Sequence, residues 1–149
     1  MKALLLNGSP RKGNIFAALG AIEEGLETIN GLEVENIRLQ EMNIAPCMVR
    51  DACKGNGGSC IIGDDGNDII EKLYEADILI FGTPVYWWGI SSQLKAIIDK
   101  FYSRQQTLLT QKKKLGSIVS GQLSTDNAQY AIILKQFECI CDYLGWDYL

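Results

Sequence analysis

The chain contains no histidine. That absence excludes Ser-His and Cys-His nucleophilic catalysis and every histidine-containing zinc site. Long apolar runs are also missing: none approaches the ~18–20 residues of a membrane span. Lys2 is followed by only Ala3-Leu4-Leu5-Leu6 before a polar loop, which does not read as a secretory signal. The expectation is a cytoplasmic protein with no membrane partner. Basic charge is in deficit, with a net charge of −4. The one basic cluster, Lys112-Lys113-Lys114, is too short to make the electrostatic footprint of a nucleic-acid binder. The five cysteines, Cys47, Cys53, Cys60, Cys139 and Cys141, are odd in number. Without an export signal, they read as reduced thiols or metal ligands and not as a disulfide framework.

What is present is an ordinary globular composition, 47% hydrophobic and 21% charged over 149 residues. We read residues 1–149 as one domain, able to bury roughly 68–70% of its unfolded surface and to build a core without metal or disulfides. The stretch Asn7-Gly8-Ser9-Pro10-Arg11-Lys12-Gly13-Asn14 stands out. It follows an apolar strand-like run and leads into Ile15, Leu19, Ile22, Leu26 and Ile29, spaced by fours and threes as on a helix. Small residues let the backbone approach a ligand, a helix N-terminus offers unpaired N–H groups, and Arg11 and Lys12 add positive charge; the loop suits a phosphate. The same residues also make an ordinary strand-to-helix turn with solvated basic side chains.

Further along, the first helix is expected to end near Asn30-Gly31. Leu32 to Leu39 reads as an edge strand because its alternation is imperfect and it carries three charges, Glu33, Glu35 and Arg38. Residues 40–66 show no sustained periodicity, and a loop of that length in a compact domain is usually functional. A short helix is predicted over Asp68–Tyr74, then a strand buried on both faces over Asp77–Gly82. It feeds Thr83-Pro84-Val85-Tyr86-Trp87-Trp88-Gly89. The next helix carries Ile90, Leu94, Ile97, Ile98 and Phe101 on one stripe. Leu115–Ser120 is a fourth strand, Ser124 or Thr125 is expected to cap a last helix that Gly145 ends, and Trp146–Leu149 begins a fifth strand.

Strands alternating with helices imply a doubly wound parallel sheet with right-handed crossovers, an α/β fold. The first loop lacks both the G-x-G-x-x-G spacing and a Gly-Lys-Ser/Thr triplet. The remaining common order, 2-1-3-4-5, binds its ligand at the carboxyl ends of strands one and three. Those are the positions of the phosphate-suited loop and of the Tyr86-Trp87-Trp88 turn, whose aromatics can stack a planar ring or pack in a core or interface. Ser120-Gly121 comes up on the same rim. A phosphorylated ligand with a flat ring would bridge these loops.

Asn7 to Asn14, then Ala76-Asp77 to Gly82-Thr83-Pro84-Val85-Tyr86-Trp87 with Lys95 and Asp99 behind, resemble the flavodoxin-like NADPH-dependent FMN reductase family, which includes the iron–sulfur flavoproteins. The resemblance covers nearly the whole chain. It implies that Ser9, Arg11, Asn14 and the Ile15 main chain hold the FMN phosphate. Pro84, Val85, Tyr86, Trp87, Trp88 and Gly89 would line the isoalloxazine, with Ser120 and Gly121 opposite.

Three departures stand beside it. The family often has a hydroxyl residue where this chain has Ile15. Iron–sulfur flavoproteins use C-x2-C-x2-C and a later fourth cysteine, where this chain has Cys47, Arg50, Cys53 and Cys60. A cubane cluster normally takes four thiolates, so no iron–sulfur cluster is expected and no residue is assigned to a metal. The family also usually continues into a final helix that covers the sheet beside the first helix, and a bare sheet face points to a homo-oligomer.

The function expected is an NAD(P)H-dependent oxidoreductase passing electrons from reduced nicotinamide through FMN to a small-molecule or protein acceptor: flavin, quinone or a metal centre. The flavin carries the chemistry, so no catalytic acid–base side chain is needed. Alternatives are a non-enzymatic electron carrier of flavodoxin type and a flavin-free interaction module.

Overall fold

The computed structural model describes residues 1–48 and 51–149. Five strands, β1 (Lys2–Asn7), β2 (Glu33–Arg38), β3 (Ile78–Pro84), β4 (Lys114–Ser120) and β5 (Asp147–Tyr148), pair in parallel in the order β2-β1-β3-β4-β5. The connections carry helices α1 (Asn14–Glu27), α2 (Ala52–Gly55), α3 (Gly66–Glu75), α4 (Ser92–Leu108) and α5 (Ala128–Leu144), with a 3-10 turn at Leu39–Glu41. This is the order expected from the alternation of elements. It places the reversal of strand order between β1 and β3, where Leu6 lies beside Phe81 and Asn7 beside Gly82.

Alternation along the strands separates two apolar clusters. Leu4, Leu6, Leu79, Phe81 and Leu115 pack with Leu73, Leu94, Ile97, Ile133 and Phe137 from α3, α4 and α5. Phe81 and Phe137 meet edge to face, their centroids 6.0 Å apart. On the other face Ala3 and Leu5 meet Ile15 and Leu19 of α1, while Ile78, Ile80 and Ile118 are only partly buried. The strand expected to be buried on both faces is therefore fully buried on one. A continuous apolar run records that both faces are apolar, not how many helices lie on each.

Boundaries differ in instructive places. β3 runs on through Thr83 and Pro84, because Pro84 sits beside Ser120 at the end of the ladder, where its missing N–H is no loss. The α5 cap is Asn127, whose side chain accepts a hydrogen bond from Gln129 N at 3.1 Å, not Ser124 or Thr125. A turn closed by Asn127 N donating to Ser124 O, at 2.9 Å, sets those two residues before the helix. Gly145 ends α5 at φ +69, with Trp146 N donating to Cys141 O at 2.9 Å. Lys113, buried at the foot of β4, donates from Nζ to Tyr74 O at 2.8 Å and to Ala76 O, closing the end of α3. Burial pushes its ammonium below the usual lysine range.

Two cysteines on α5 make a paired test of burial. Cys139 is exposed and Cys141 is buried, its thiol pushed up to about 11 by desolvation, with the Asp142 and Asp147 carboxylates adding to the shift. The thiolate is the nucleophile, so iodoacetamide at mildly alkaline pH is expected to label Cys139 and to spare Cys141 in the folded protein. Peptide mass mapping reads this; equal labelling would contradict the packing of α5. Because the folded protein holds the Cys141 proton more tightly than the unfolded chain, this group's contribution to stability is full below the ordinary thiol range. It is lost as pH rises towards 11.

Candidate functional site

The loop after β1 is built by its own short side chains. Asn7 Oδ1 accepts from Ser9 N at 2.9 Å, and Ser9 Oγ donates to Arg11 O at 3.0 Å while accepting from Arg11 N at 3.3 Å. Gly8 N donates to Gly82 O at 2.8 Å, tying the loop to β3. A Cβ on Gly8 would lie 2.7 Å from Ser91 Oγ and 2.9 Å from Leu94 Cβ, so only glycine lets the loop lie on the start of α4. The loop delivers the chain to Gly13, the residue before α1. No side chain caps that helix and its first turn holds no acidic residue, so its leading N–H groups are available to an anion. Arg11 and Lys12 are exposed beside it. Lys12 Nζ and the Arg38 guanidinium lie 5.7 and 5.4 Å from the Phe16 ring centroid.

Across the switch point, Val85 N donates to Ser120 O at 2.8 Å, joining the ends of β3 and β4. Asn14 Nδ2 reaches Ser120 Oγ at 3.5 Å. A cavity of about 670 Å³ lies between these loops, within the ~300–1,000 Å³ typical of small-molecule sites. Of the residues singled out from sequence, Ser9, Arg11, Asn14, Ile15, Pro84, Val85, Tyr86, Ser120 and Gly121 line it. Lys12, Gly13 and Gln122 line it as well. They adjoin chosen positions, and their loops alone pointed to them. Arg38 was not anticipated as a neighbour of the α1 N-terminus; its position at the end of the strand next to β1 is the signal that could have found it.

Trp87, Trp88 and Gly89 are not among the lining residues. They belong to a two-residue turn closed by Tyr86 N donating to Gly89 O at 2.9 Å and Gly89 N donating to Tyr86 O at 3.0 Å. Trp87 and Trp88 take φ of +49 and +63, the primed turn that normally calls for Asn-Gly. Their indoles meet at 90° with centroids 5.8 Å apart, and Trp87 is 92% exposed. A left-handed backbone costs an L-residue roughly 1–2 kcal/mol, against roughly 0.5–1.5 kcal/mol for the ring contact. Replacing the pair by Asn-Gly is therefore expected to stabilise the protein by about 1–2 kcal/mol, read as a raised urea midpoint. A lowered midpoint would mean that the indoles pack more strongly than the turn strains.

Two buried amide groups, at the end of β1 and the start of α5, have donors without a partner among the described residues: Asn7 Nδ2 and Gln129 Nε2. Gln129 Nε2 lies against Gly121, where a Cβ would come within 2.9 Å of it and of Tyr130 Oη. An uncapped helix N-terminus, adjacent guanidinium and ammonium groups and the Tyr86 ring suit a phosphorylated, planar ligand such as FMN.

The fold is flavodoxin-like, and this cavity lies at its topological switch point, where such sheets bind ligands. The chain belongs to the NADPH-dependent FMN reductase family, whose model matches residues 1–137. It is 37% identical over 139 residues to an iron-sulfur flavoprotein of Methanocaldococcus jannaschii, covering 89% of this chain and 68% of that protein. It is 33% identical over 132 residues to an iron-sulfur flavoprotein of Archaeoglobus fulgidus, covering 88% of this chain and 64% of that one. The chain thus spans about two thirds of the length of these curated relatives. Among solved structures, the FMN-dependent NADH-azoreductase of Bacillus anthracis in complex with FMN superposes with a TM-score of 0.70 at 14% identity. That match covers 99% of this chain and 85% of the other and speaks to the fold.

The family resemblance also drew attention to Cys47, Arg50, Cys53 and Cys60. Arg50 lies outside the described residues. Among the described residues no group of three or more His, Cys, Asp or Glu side chains is placed to hold a metal ion. Nor is any helix among them long and apolar enough to cross a membrane.

Proposed function

We propose that residues 1–149 act as one FMN-binding domain that takes electrons from NADPH or NADH and passes them to a flavin, quinone or metal-centre acceptor. The observation that carries this is the single cavity joining the uncapped α1 N-terminus to the Pro84–Tyr86 and Ser120–Gln122 segments. Ser9, Arg11, Asn14 and the Ile15 main chain would hold the phosphate. Pro84, Val85 and Tyr86 would border the ring, with Trp87, Trp88 and Gly89 at the rim and Ser120 and Gly121 opposite. Bound FMN supplies acceptance of hydride from reduced nicotinamide and its release as electrons. The chain's own part is to bind, orient and shield. Ile15 offers no hydroxyl, so at that position the phosphate would have only the main-chain N–H, beside Ser9, Arg11 and Asn14.

The partly buried Ile78, Ile80 and Ile118 beside α1 support a homo-oligomer in which a second copy covers this face; sedimentation as a monomer at every concentration would contradict it. The thiols of Cys53 and Cys60 suit the reducing cytoplasm. The test of the reductase reading is anaerobic mixing of the FMN-loaded protein with NADPH and with NADH. Bleaching of the oxidised flavin band by either supports it. Flavin that binds but stays oxidised with both would leave an electron carrier.

A further inference from the structure

Residues 40–66 hold a second constellation that the flavin reading leaves unused. Cys53 and Cys60 are half-buried thiols, and with Cys47 they line one cavity of about 30 Å³, room for one or two molecules the size of water. The segment between them is folded back on itself. Asn56 N and Gly58 N donate to Cys53 O at 3.1 and 3.0 Å, and Asn56 Nδ2 donates to Ser59 O at 3.2 Å. Gly57 and Gly58 supply the left-handed turn, at φ +63 and +84.

Cys60 is held more firmly still. Its N donates to Asn67 Oδ1 at 3.2 Å, and Asn67 Nδ2 donates to its carbonyl at 2.9 Å. Its sulfur faces Lys100 Nζ at 3.9 Å. Lys100 is 2% exposed and is fixed by Asp64 Oδ2 at 3.0 Å. The immobilised ammonium is placed to donate a hydrogen bond to that sulfur as it attacks an electrophile. The cavity limits that electrophile to a very small molecule.

We propose that Cys53 and Cys60 form a peroxide-reactive dithiol that closes reversibly to a disulfide. Cys60 Sγ attacks one oxygen of hydrogen peroxide; the O–O bond breaks, the first water leaves, and Cys60 becomes a sulfenic acid. Cys53 Sγ then attacks Cys60 Sγ; the S–S bond forms, the S–O bond breaks, and the second water leaves. In sum, two thiols and one peroxide give one disulfide and two waters, the two electrons passing from sulfur to peroxide. A dithiol reductant returns the pair to its starting state.

The test treats the reduced full chain with one equivalent of hydrogen peroxide, alkylates with iodoacetamide and maps peptides by mass. A Cys53–Cys60 cross-linked peptide is expected, formed about ten-fold or more faster than oxidation of the exposed Cys139 and erased by dithiothreitol. Cys53→Ser should stop at a Cys60 sulfenic acid that dimedone traps, Cys60→Ser should give no cross-link, and Cys139→Ser should behave as the parent. Oxidation of Cys139 as fast as Cys60, or a cross-link that runs through Cys47, would overturn the proposal. So would purified protein with iron–sulfur absorbance and cysteines that resist both reagents. Flavin content does not enter the readout, so the outcome is separable from that of the reductase reading.

Discussion

Lys100→Met is expected to destabilise the protein by about 3–5 kcal/mol, the largest effect of any single side chain outside the apolar core. Its side chain and that of Asp64 are 1% and 4% exposed and meet at 3.0 Å. Asp64 also accepts from Ala45 N at 2.8 Å and Gly66 N at 3.0 Å, so one carboxylate fastens both ends of the cysteine loop to α4. Gly66 belongs to the same arrangement, since a Cβ there would lie 2.5 Å from Lys100 Cε. Methionine keeps the length of the stem but strands a buried carboxylate. With a urea slope of about 2 kcal/mol per M, the midpoint should fall by roughly 2 M. Adding Asp64→Asn should recover part of the loss, because the stranded charge is then gone. A fall of under about 1 kcal/mol, the usual yield of an exposed pair, would mean that water reaches the site.

Gly13→Asp should move stability and ligand affinity in opposite directions. Gly13 precedes α1 with φ −120, and a Cβ there meets nothing within 4 Å, so aspartate fits. An aspartate at this position can accept from the open N–H groups of the first turn, which is expected to add about 1 kcal/mol to stability. The same carboxylate occupies the donors offered to a phosphate and repels it. FMN affinity should fall about 100-fold, close to 2.7 kcal/mol, while riboflavin, which has no phosphate, should be little affected. Thermal unfolding and flavin fluorescence titration on one preparation read both signs. A stabilised variant with unchanged FMN affinity would place the phosphate elsewhere.

The strand order and the meeting of the two loops were legible because they rest on long-range regularities. Apolar runs alternate with amphipathic stretches, and the exclusion of other nucleotide motifs left one common topology. The cavity residues Ser9, Arg11, Asn14, Pro84, Tyr86 and Gly121, which the family resemblance implied, stand at or beyond the carboxyl ends of β1, β3 and β4, where that topology puts a ligand. Trp87 and Trp88 show the limit. Residue type marked them as a wall, but their direction is set by positive φ values at two non-glycine positions, which no pattern of aromatics encodes. The Asn127 cap was missed because Ser124 and Thr125 are equally good caps by type, and the intervening turn decides. The Lys100–Asp64 pair was invisible for another reason. Lys100 lies on the polar side of the α4 pattern and is buried against Cys60, Asp64 and Gly66, which come from a distant stretch of the chain.

The most direct measurement of the central claim is a titration of the flavin-free protein with FMN and, separately, with riboflavin, followed by quenching of flavin fluorescence. Binding of one FMN per chain at least ~100-fold tighter than riboflavin is predicted, a phosphate contribution of about 2.7 kcal/mol from the α1 N-terminus and Arg11. Equal affinities for the two, or no binding of FMN, would contradict it.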